Sequence, residues 1–283
     1  MELEGKIAIV TGASRGVGAA TAAALAAAGC AVACAARSTR ENPQRTPGTL
    51  DETVAGINER GGAALAVPTN LANEDEVVAM VATTVQHFGG VDVLVNNAAI
   101  TFVGDLDIPL KRHDLVMEVN LRAPLIATRE VKGHMAARGG GAILNVSSVA
   151  ALFPHPSLMS YGMSKVALER LTIDAAIQLQ PLGIAVNCFR IDLPVASEGF
   201  IANTPGMDRS DWEPSEVAAE GVVWMLRQPP TYSGRRESMY QLRHREGIMP
   251  PRAQRQWRGP PPPTELFQGL PARGHSTFQE PYQ

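Results

Sequence analysis

The sequence predicts an α/β fold: one doubly wound parallel sheet covered by helices on both faces, followed by an extended proline-rich C-terminal tail. Three observations carry this prediction. Short unbroken apolar runs such as KIAIV (6–10) and CAVACAA (30–36) alternate with helically patterned stretches. Strands covered by helices above and below read as continuous apolar runs, whereas a half-exposed strand alternates. The first run leads directly into the glycine-bearing turn TGASRGVG (11–18), which opens a helix. The same strand–helix order then repeats to about residue 245 with no break that marks a second domain.

After the turn, an alanine-rich helix runs to Ala28, and Gly29 separates it from the second strand. Alanine contributes little hydrophobicity, so AATAAALAAAGCAVACAA reads as buried helix and strand and not as a membrane span. ENPQRTPGT (41–49) is a polar, turn-rich insertion, and DETVAGINERG resumes a helix. ALAVPTN (64–70) is the third strand; NEDEVVAMVATTVQHFGG is a helix with Asn73 as N-cap and Glu76 three residues on, close to a capping box. VDVLVNNAA (91–99) is a strand entering a polar turn, and LVMEVNLRAPLIATREVKGHMAAR is a helix ending at a glycine cluster. GAILNVSS (141–148), the helix SYGMSKVALERLTIDAAIQLQPLG and the strand IAVNCF (184–189) follow. Residues 190–213 read as a loop, SEVAAEGVVWML (215–226) as a helix, and ESMYQLR as one last strand.

This places a single domain at 1–245 and a tail at 246–283, where proline, arginine and glutamine dominate and neither helix nor central strand is expected. The tail is either a flexible extended arm or a clasp on a partner subunit, with Trp257, Phe267, Phe278 or Tyr282 as anchors. A chain of 283 residues that is 45% hydrophobic can bury one large core. The net charge of -3, spread over both halves, gives no electrostatic reason for a nucleic-acid or membrane partner. Cys30, Cys34 and Cys188 have neither zinc spacing nor a disulfide framework, so a reduced, cytoplasmic protein is expected. MELEGKIAIV has no basic region followed by a long apolar segment and is not expected to be a signal peptide. His87, His113, His134, His244 and His275 show no ligand spacing, and His155 reads as a loop histidine, so no metal site is expected.

Gly12, Gly16 and Gly18 allow a tight turn and close approach of a pyrophosphate, and the helix amides beyond it point at negative charge. Ser14, Arg15 and Val17 belong to the same cofactor-binding turn. Arg37 follows the second strand, where a dinucleotide's adenosine ribose is met. Arginine offers donors to a 2′-phosphate where an acidic residue would favour the free hydroxyl, and Arg15 and Ser38 are in reach of that phosphate. The expected cofactor is therefore NADP(H), with NAD(H) second. Tyr161 and Lys165 are four residues apart and share one helix face. A nearby ammonium stabilises phenolate and makes the tyrosine a usable acid or base. Ser147 and Ser148 end the preceding strand, where a hydroxyl could hold a carbonyl oxygen.

In this order TGASRGVG, NNAA (96–99), VNL (119–121), SS (147–148) and YGMSK (161–165) resemble the short-chain dehydrogenase/reductase family over roughly residues 3–242. The resemblance implies a Rossmann-type sheet and hydride exchange between a nicotinamide and a carbonyl or alcohol. It implies Tyr161 as acid/base, Lys165 as the residue that depresses the tyrosine and holds the nicotinamide ribose, and Ser148 in preference to Ser147 as substrate-orienting. Asn120 resembles the asparagine that holds a relay water, and Asn97, Ala98 and Ala99 the turn beside the cofactor. Asn70, with Leu71 after it, stands where the family has an adenine-contacting aspartate. VNCFRIDLPVASEGF lacks the family's proline-glycine pair and threonine; Pro194 is assigned to the cofactor, with Val195 and Ser197 as neighbours in a shifted register. The stretch ENPQRTPGTLDETVAGI (41–57) resembles a branch of the family that includes hydroxysteroid dehydrogenase-like proteins. The family implies a homodimer or homotetramer. The rival readings are a 3-oxoacyl thioester reductase and a non-catalytic dinucleotide-binding regulatory or structural protein.

Overall fold

In the computed structural model, which describes residues 1–155 and 157–266, the apolar runs become strands in chain order. The first half is β1 (Ile7–Thr11), α1 (Gly16–Ala27), β2 (Ala31–Ala36), α2 (Leu50–Asn58), β3 (Ala63–Pro68), α3 (Glu74–Phe88) and β4 (Val93–Asn96). The second half is α4 (Leu110–Met117), α5 (Ala123–Ala137), β5 (Gly141–Ser148), α6 (Met159–Leu179), β6 (Ile184–Ile191), β7 (Val195–Ala196), α7 (Glu198–Asn203), β8 (Glu213–Pro214), α8 (Ser215–Leu226), β9 (Arg236–Ser238) and α9 (Met239–Glu246). Seven strands form one sheet in the order β3-β2-β1-β4-β5-β6-β9, and β7 pairs with β8. Every pair in both sheets is parallel.

Side chains alternate across a strand, so each apolar run feeds two cores. Ala8, Val10, Val32, Cys34, Val93, Val95, Leu144 and Phe189 face one side, with α1, α8 and α9. Ile9, Ala33, Leu94, Ile143 and Val186 face the other, with α3, α5 and α6. Chain order reverses between β1 and β4, which opens a crevice beyond the carboxyl ends of those strands. The glycine turn lies there.

Several local expectations need correction. Asn73 does cap α3, accepting from the Asp75 amide at 3.0 Å, but the Glu76 carboxylate takes the Asn70 amide at 2.7 Å instead of closing a capping box. The reciprocal box belongs to α2, between Thr49 and Glu52. The predicted helix through VMEVNLRAP is interrupted by a π-helical turn, Glu118–Arg122, around Asn120. ESMYQLR is a strand only to Ser238. The Asp192 carboxylate accepts the Ser238 hydroxyl and the Tyr240 amide, and Ser238 caps α9, so the chain turns helical there.

The first part of the tail packs on the domain. Met249 is buried, and the half-buried Trp257 meets Tyr240 edge-on at 6.0 Å. Phe267, Phe278 and Tyr282 lie outside the described residues. Among the described residues no helix is long and apolar enough to cross a membrane, and no cluster of His, Cys, Asp or Glu is arranged to hold a metal.

Gly133 sits inside α5, and a Cβ there meets nothing within 4 Å. Gly133→Ala is expected to stabilise the protein by about 0.5–1 kcal/mol, because a helical glycine gives up more conformational freedom on folding. A denaturant midpoint that rises without a change in slope is the measurement.

Candidate active site

The glycine turn is built by close approach. Gly12 and Gly16 have φ of +69° and +55°, and a Cβ on Gly18 would lie 2.2 Å from the Gly12 carbonyl oxygen. Asn97 Nδ2 donates to the Thr11 carbonyl at 2.8 Å, and the Asn97 and Ala98 amides both donate to Thr11 Oγ1 at 3.1 Å. The turn after β4 is thus stitched to the turn after β1. Thr11 is the knot, a role that sequence reading missed although the residue opens the glycine motif. Ala99 follows on the exposed side.

Arg15, the N-cap of α1, makes no side-chain cap, and the first turn holds no acidic residue. The leading amides, through Val17 and Gly18, therefore retain their positive end for an anion. With glycine leaving room at 12, 16 and 18, these residues fit a dinucleotide's pyrophosphate. Ser14 is buried beside them.

At the ribose end the insertion intervenes. Arg15 Nε donates to the Pro47 carbonyl at 2.6 Å and its Nη2 to the Gly48 carbonyl at 2.8 Å. The Ser38 hydroxyl, nearly fully buried, donates to the same Gly48 carbonyl at 2.8 Å. The insertion thus engages the hydroxyl of Ser38, the residue next to Arg37. Arg37 is exposed and its guanidinium makes no hydrogen bond or ion pair among the described residues. Burial lowers the Arg15 pKa, opposed by Glu198 and aided by Arg37. Asn70 closes a turn by accepting the Ala72 amide at 3.2 Å, and Leu71 is buried beneath it.

At the reaction end, Ser148 closes β5 while Tyr161 and Lys165 lie in the opening turns of α6. The Ser148 hydroxyl caps the short turn after β5 by accepting the Ala150 amide at 3.3 Å, and it lies near enough to the Tyr161 phenol to pull its pKa down against burial. Lys165 Nζ is 2.8 Å from the Val146 carbonyl, to which it donates, and 5.6 Å from the tyrosine ring centroid. Asn120, fully buried in the π turn, accepts the Ile100 amide at 2.8 Å and donates to the Ile100 carbonyl at 2.9 Å and to Ser164 Oγ at 3.1 Å. The fold therefore brings Ser148, Tyr161, Lys165 and Asn120 to one end of α6.

Burial lowers the lysine to about 8, against the upward pull of Cys188 and Glu169. Burial raises the tyrosine, and Ser148 opposes it. This departs from the depressed phenol expected from the i,i+4 spacing. The physical cause is burial of the phenol, while the ammonium one turn along donates to the Val146 carbonyl. His113, dismissed on spacing, has its Nδ1 3.0 Å from the hydroxyl of Ser160, the residue before Tyr161.

The segment 190–213 is more ordered than a loop. Pro194 lends its carbonyl to the Glu213 amide at 2.9 Å, where β7 meets β8. Ser197 caps α7, and a Cβ on Gly16 would lie 2.9 Å from its Cβ. Of the shifted-register candidates, Ser197 is the one set against the glycine turn. Phe200 stacks on Trp212 with centroids 4.5 Å apart. Glu213 pairs with Arg243 at 2.7 Å and accepts the amides of Arg252 and Ala253, and the Arg255 amide reaches the Ser210 carbonyl at 2.7 Å. The tail thus fastens the trailing arm of this segment. Cys30, Cys34 and Cys188 are buried free thiols, each pushed up to about 12 by burial.

Comparison with known proteins agrees with this geometry. Residues 6–192 match the family described as short chain dehydrogenase. Dehydrogenase/reductase SDR family member 4 of Bos taurus is 37% identical over 188 residues, 66% of this chain; the match spans 64% of that protein's length. The 3-oxoacyl-[acyl-carrier-protein] reductase of a Synechocystis strain is 37% identical over 202 residues, covering 71% of this chain and 76% of the other. A mutant short-chain dehydrogenase/reductase of Serratia marcescens superposes with a TM-score of 0.74 at 30% identity, covering 84% of this chain and 97% of that one.

Proposed function

The chain belongs to the short-chain dehydrogenase family, and from that premise we propose that it is an NADP(H)-dependent oxidoreductase interconverting a carbonyl compound and an alcohol. One observation carries the reading: Ser148 ends β5 at the opening turns of α6, which hold Tyr161 and, one turn further along, the buried Lys165 tied to the Val146 carbonyl of that same strand. A pair of this kind, at the same end of the sheet as an uncapped glycine turn, serves proton transfer beside a bound dinucleotide. When bound, the nicotinamide supplies or accepts the hydride.

The chain's own residues do the rest. Gly12, Gly16, Gly18 and the first amides of α1 hold the pyrophosphate. Ser148 orients the carbonyl oxygen, and Tyr161 gives it a proton in reduction or takes one in oxidation. Lys165 holds the nicotinamide ribose and supports the charge on Tyr161. Asn120, fixed by Ile100 and Ser164, anchors the water that resupplies Lys165. The enzyme works in the cytoplasm as a homodimer or homotetramer.

NADP(H) is preferred because Arg37 is the exposed guanidinium after β2 with no partner among the described residues. Arg37→Ala is expected to weaken NADPH binding by about tenfold or more, the value of a hydrogen bond to a charged group, and to leave NADH binding unchanged. Fluorescence titration with both nucleotides measures this, and equal losses for the two would assign Arg37 elsewhere. The activity is tested by a screen of ketones, aldehydes and secondary alcohols with NADPH or NADP⁺, followed by nicotinamide absorbance. Reduction of a 3-oxoacyl thioester is the second reading, supported by the likeness to the Synechocystis protein. Including an acyl thioester in the screen separates the two.

A further inference from the structure

Directly behind the proton-handling pair lies a charged cluster that the proposed reaction does not use. Glu169 is one helical turn beyond Lys165 on α6, and its side chain is 4% exposed. Arg190, on β6 opposite Ser147, grips it with both forks: Nε to Oε1 at 2.9 Å and Nη2 to Oε2 at 2.6 Å. The Ser147 hydroxyl donates to Oε1 at 2.8 Å, and Arg236 Nη1 stands 3.8 Å from Oε2. One carboxylate therefore ties α6 to the ends of β5, β6 and β9, at the residue before Ser148.

We propose that Glu169, locked by Arg190 and Ser147, is a positioning residue for the Tyr161–Lys165 pair, fixing the opening turns of α6 and supplying the counter-charge that keeps Lys165 an ammonium. This rests on the reading of Tyr161 and Lys165 as the proton-handling groups. A buried ion pair adds little to stability that a well-packed apolar pair would not supply. What an apolar pair cannot supply is a negative charge one turn behind a buried amine. The groups around Lys165 leave Glu169 in that role. Tyr161 on α6 is a neutral phenol, Ser147 and the Val146 carbonyl on β5 are uncharged, and Arg190 and Arg236 are cations. Cys188 on β6, with its thiol at about 12, carries no charge near neutrality. Asp192, further along the chain, is engaged by Ser238 and Tyr240.

The test uses the full chain, which has four lysines, Lys6, Lys111, Lys132 and Lys165. Labelling them with ¹³C at the ε carbon gives four resonances to titrate, with Lys165 identified by its loss in Lys165→Arg. Glu169→Gln alone leaves Arg190 buried and unpaired, so the decisive variant is Glu169→Gln/Arg190→Met. We expect this double variant to melt cooperatively while its Lys165 midpoint lies about half a unit or more below that of Arg190→Met alone, roughly a threefold loss of proton affinity that isolates the Glu169 charge. Glu169→Asp, which keeps the charge, should restore the midpoint. A double variant whose Lys165 midpoint matches that of Arg190→Met, or that fails to fold, assigns the pair a structural role and overturns the proposal. The readout needs neither cofactor nor substrate. Failure of the wild type to bind NADPH or reduce any carbonyl would instead strike the proposed function.

Discussion

Tyr161→Phe is expected to lower turnover in NADPH-dependent carbonyl reduction by about 10²–10⁴-fold, the usual contribution of a positioned general acid. Phenylalanine fills the same space but has no hydroxyl to give or take the proton. NADPH affinity should change by less than about tenfold, since at most one neutral hydrogen bond to the cofactor is lost. Steady-state rates beside a fluorescence titration separate the two effects, and a variant that keeps more than a tenth of its turnover would remove Tyr161 from the chemistry. The pH dependence has a definite sign. Burial raises the phenol and so holds its proton to higher pH, which favours donation to a carbonyl. Reduction should therefore hold through neutrality and decline as pH rises past the point, about 8, where Lys165 loses its charge. Alcohol oxidation, which needs the phenolate, should rise with pH.

Gly18→Ala is the change expected to damage the nucleotide end most. The new Cβ would lie 2.2 Å from the Gly12 carbonyl oxygen and 2.4 Å from Asn97 Nδ2. Neither atom is free to retreat: one is the backbone of the turn itself, and the other is held by the Thr11 carbonyl at 2.8 Å. Helix α1 must then move off β1, at a cost of about 1–3 kcal/mol for an overpacked site. For a domain of this size each kcal/mol lowers the melting temperature by roughly 2–4 °C. NADPH should bind at least tenfold more weakly, because the amides that face the pyrophosphate move with the helix. Gly199→Ala, where a Cβ meets nothing within 4 Å, is the control. Circular-dichroism melts and NADPH titration test both, and a Gly18→Ala protein that melts and binds like the wild type would refute the close-packing argument.

Much of the site could be read in the sequence because its signals are local. The glycines at 12, 16 and 18 answer to one turn, and the i,i+4 pair Tyr161/Lys165 answers to one helix. The π turn at Asn120 is different. Its side chain is held by the main chain of Ile100, twenty positions away, and no local pattern records that bond. Only the folded insertion brings the Gly48 carbonyl onto the Ser38 hydroxyl. Spacing places the Lys165 ammonium on the helix face of Tyr161 but does not say that the Val146 carbonyl, on another element, also holds it.

By itself the sequence determined the alternating elements, the doubly wound class and the identity of the polar groups at the crevice. Each of these follows from periodicity or from residue chemistry within a few positions. Tertiary structure alone decided which of those groups remain free. It committed Arg15 and Ser38 to the insertion, set Ser197 against Gly16, laid the tail along the 208–213 arm and joined Glu169 to Arg190. The physical reason is that a buried donor or acceptor must be satisfied by whatever the fold brings within about 3 Å, and those partners come from strands and turns remote in the chain.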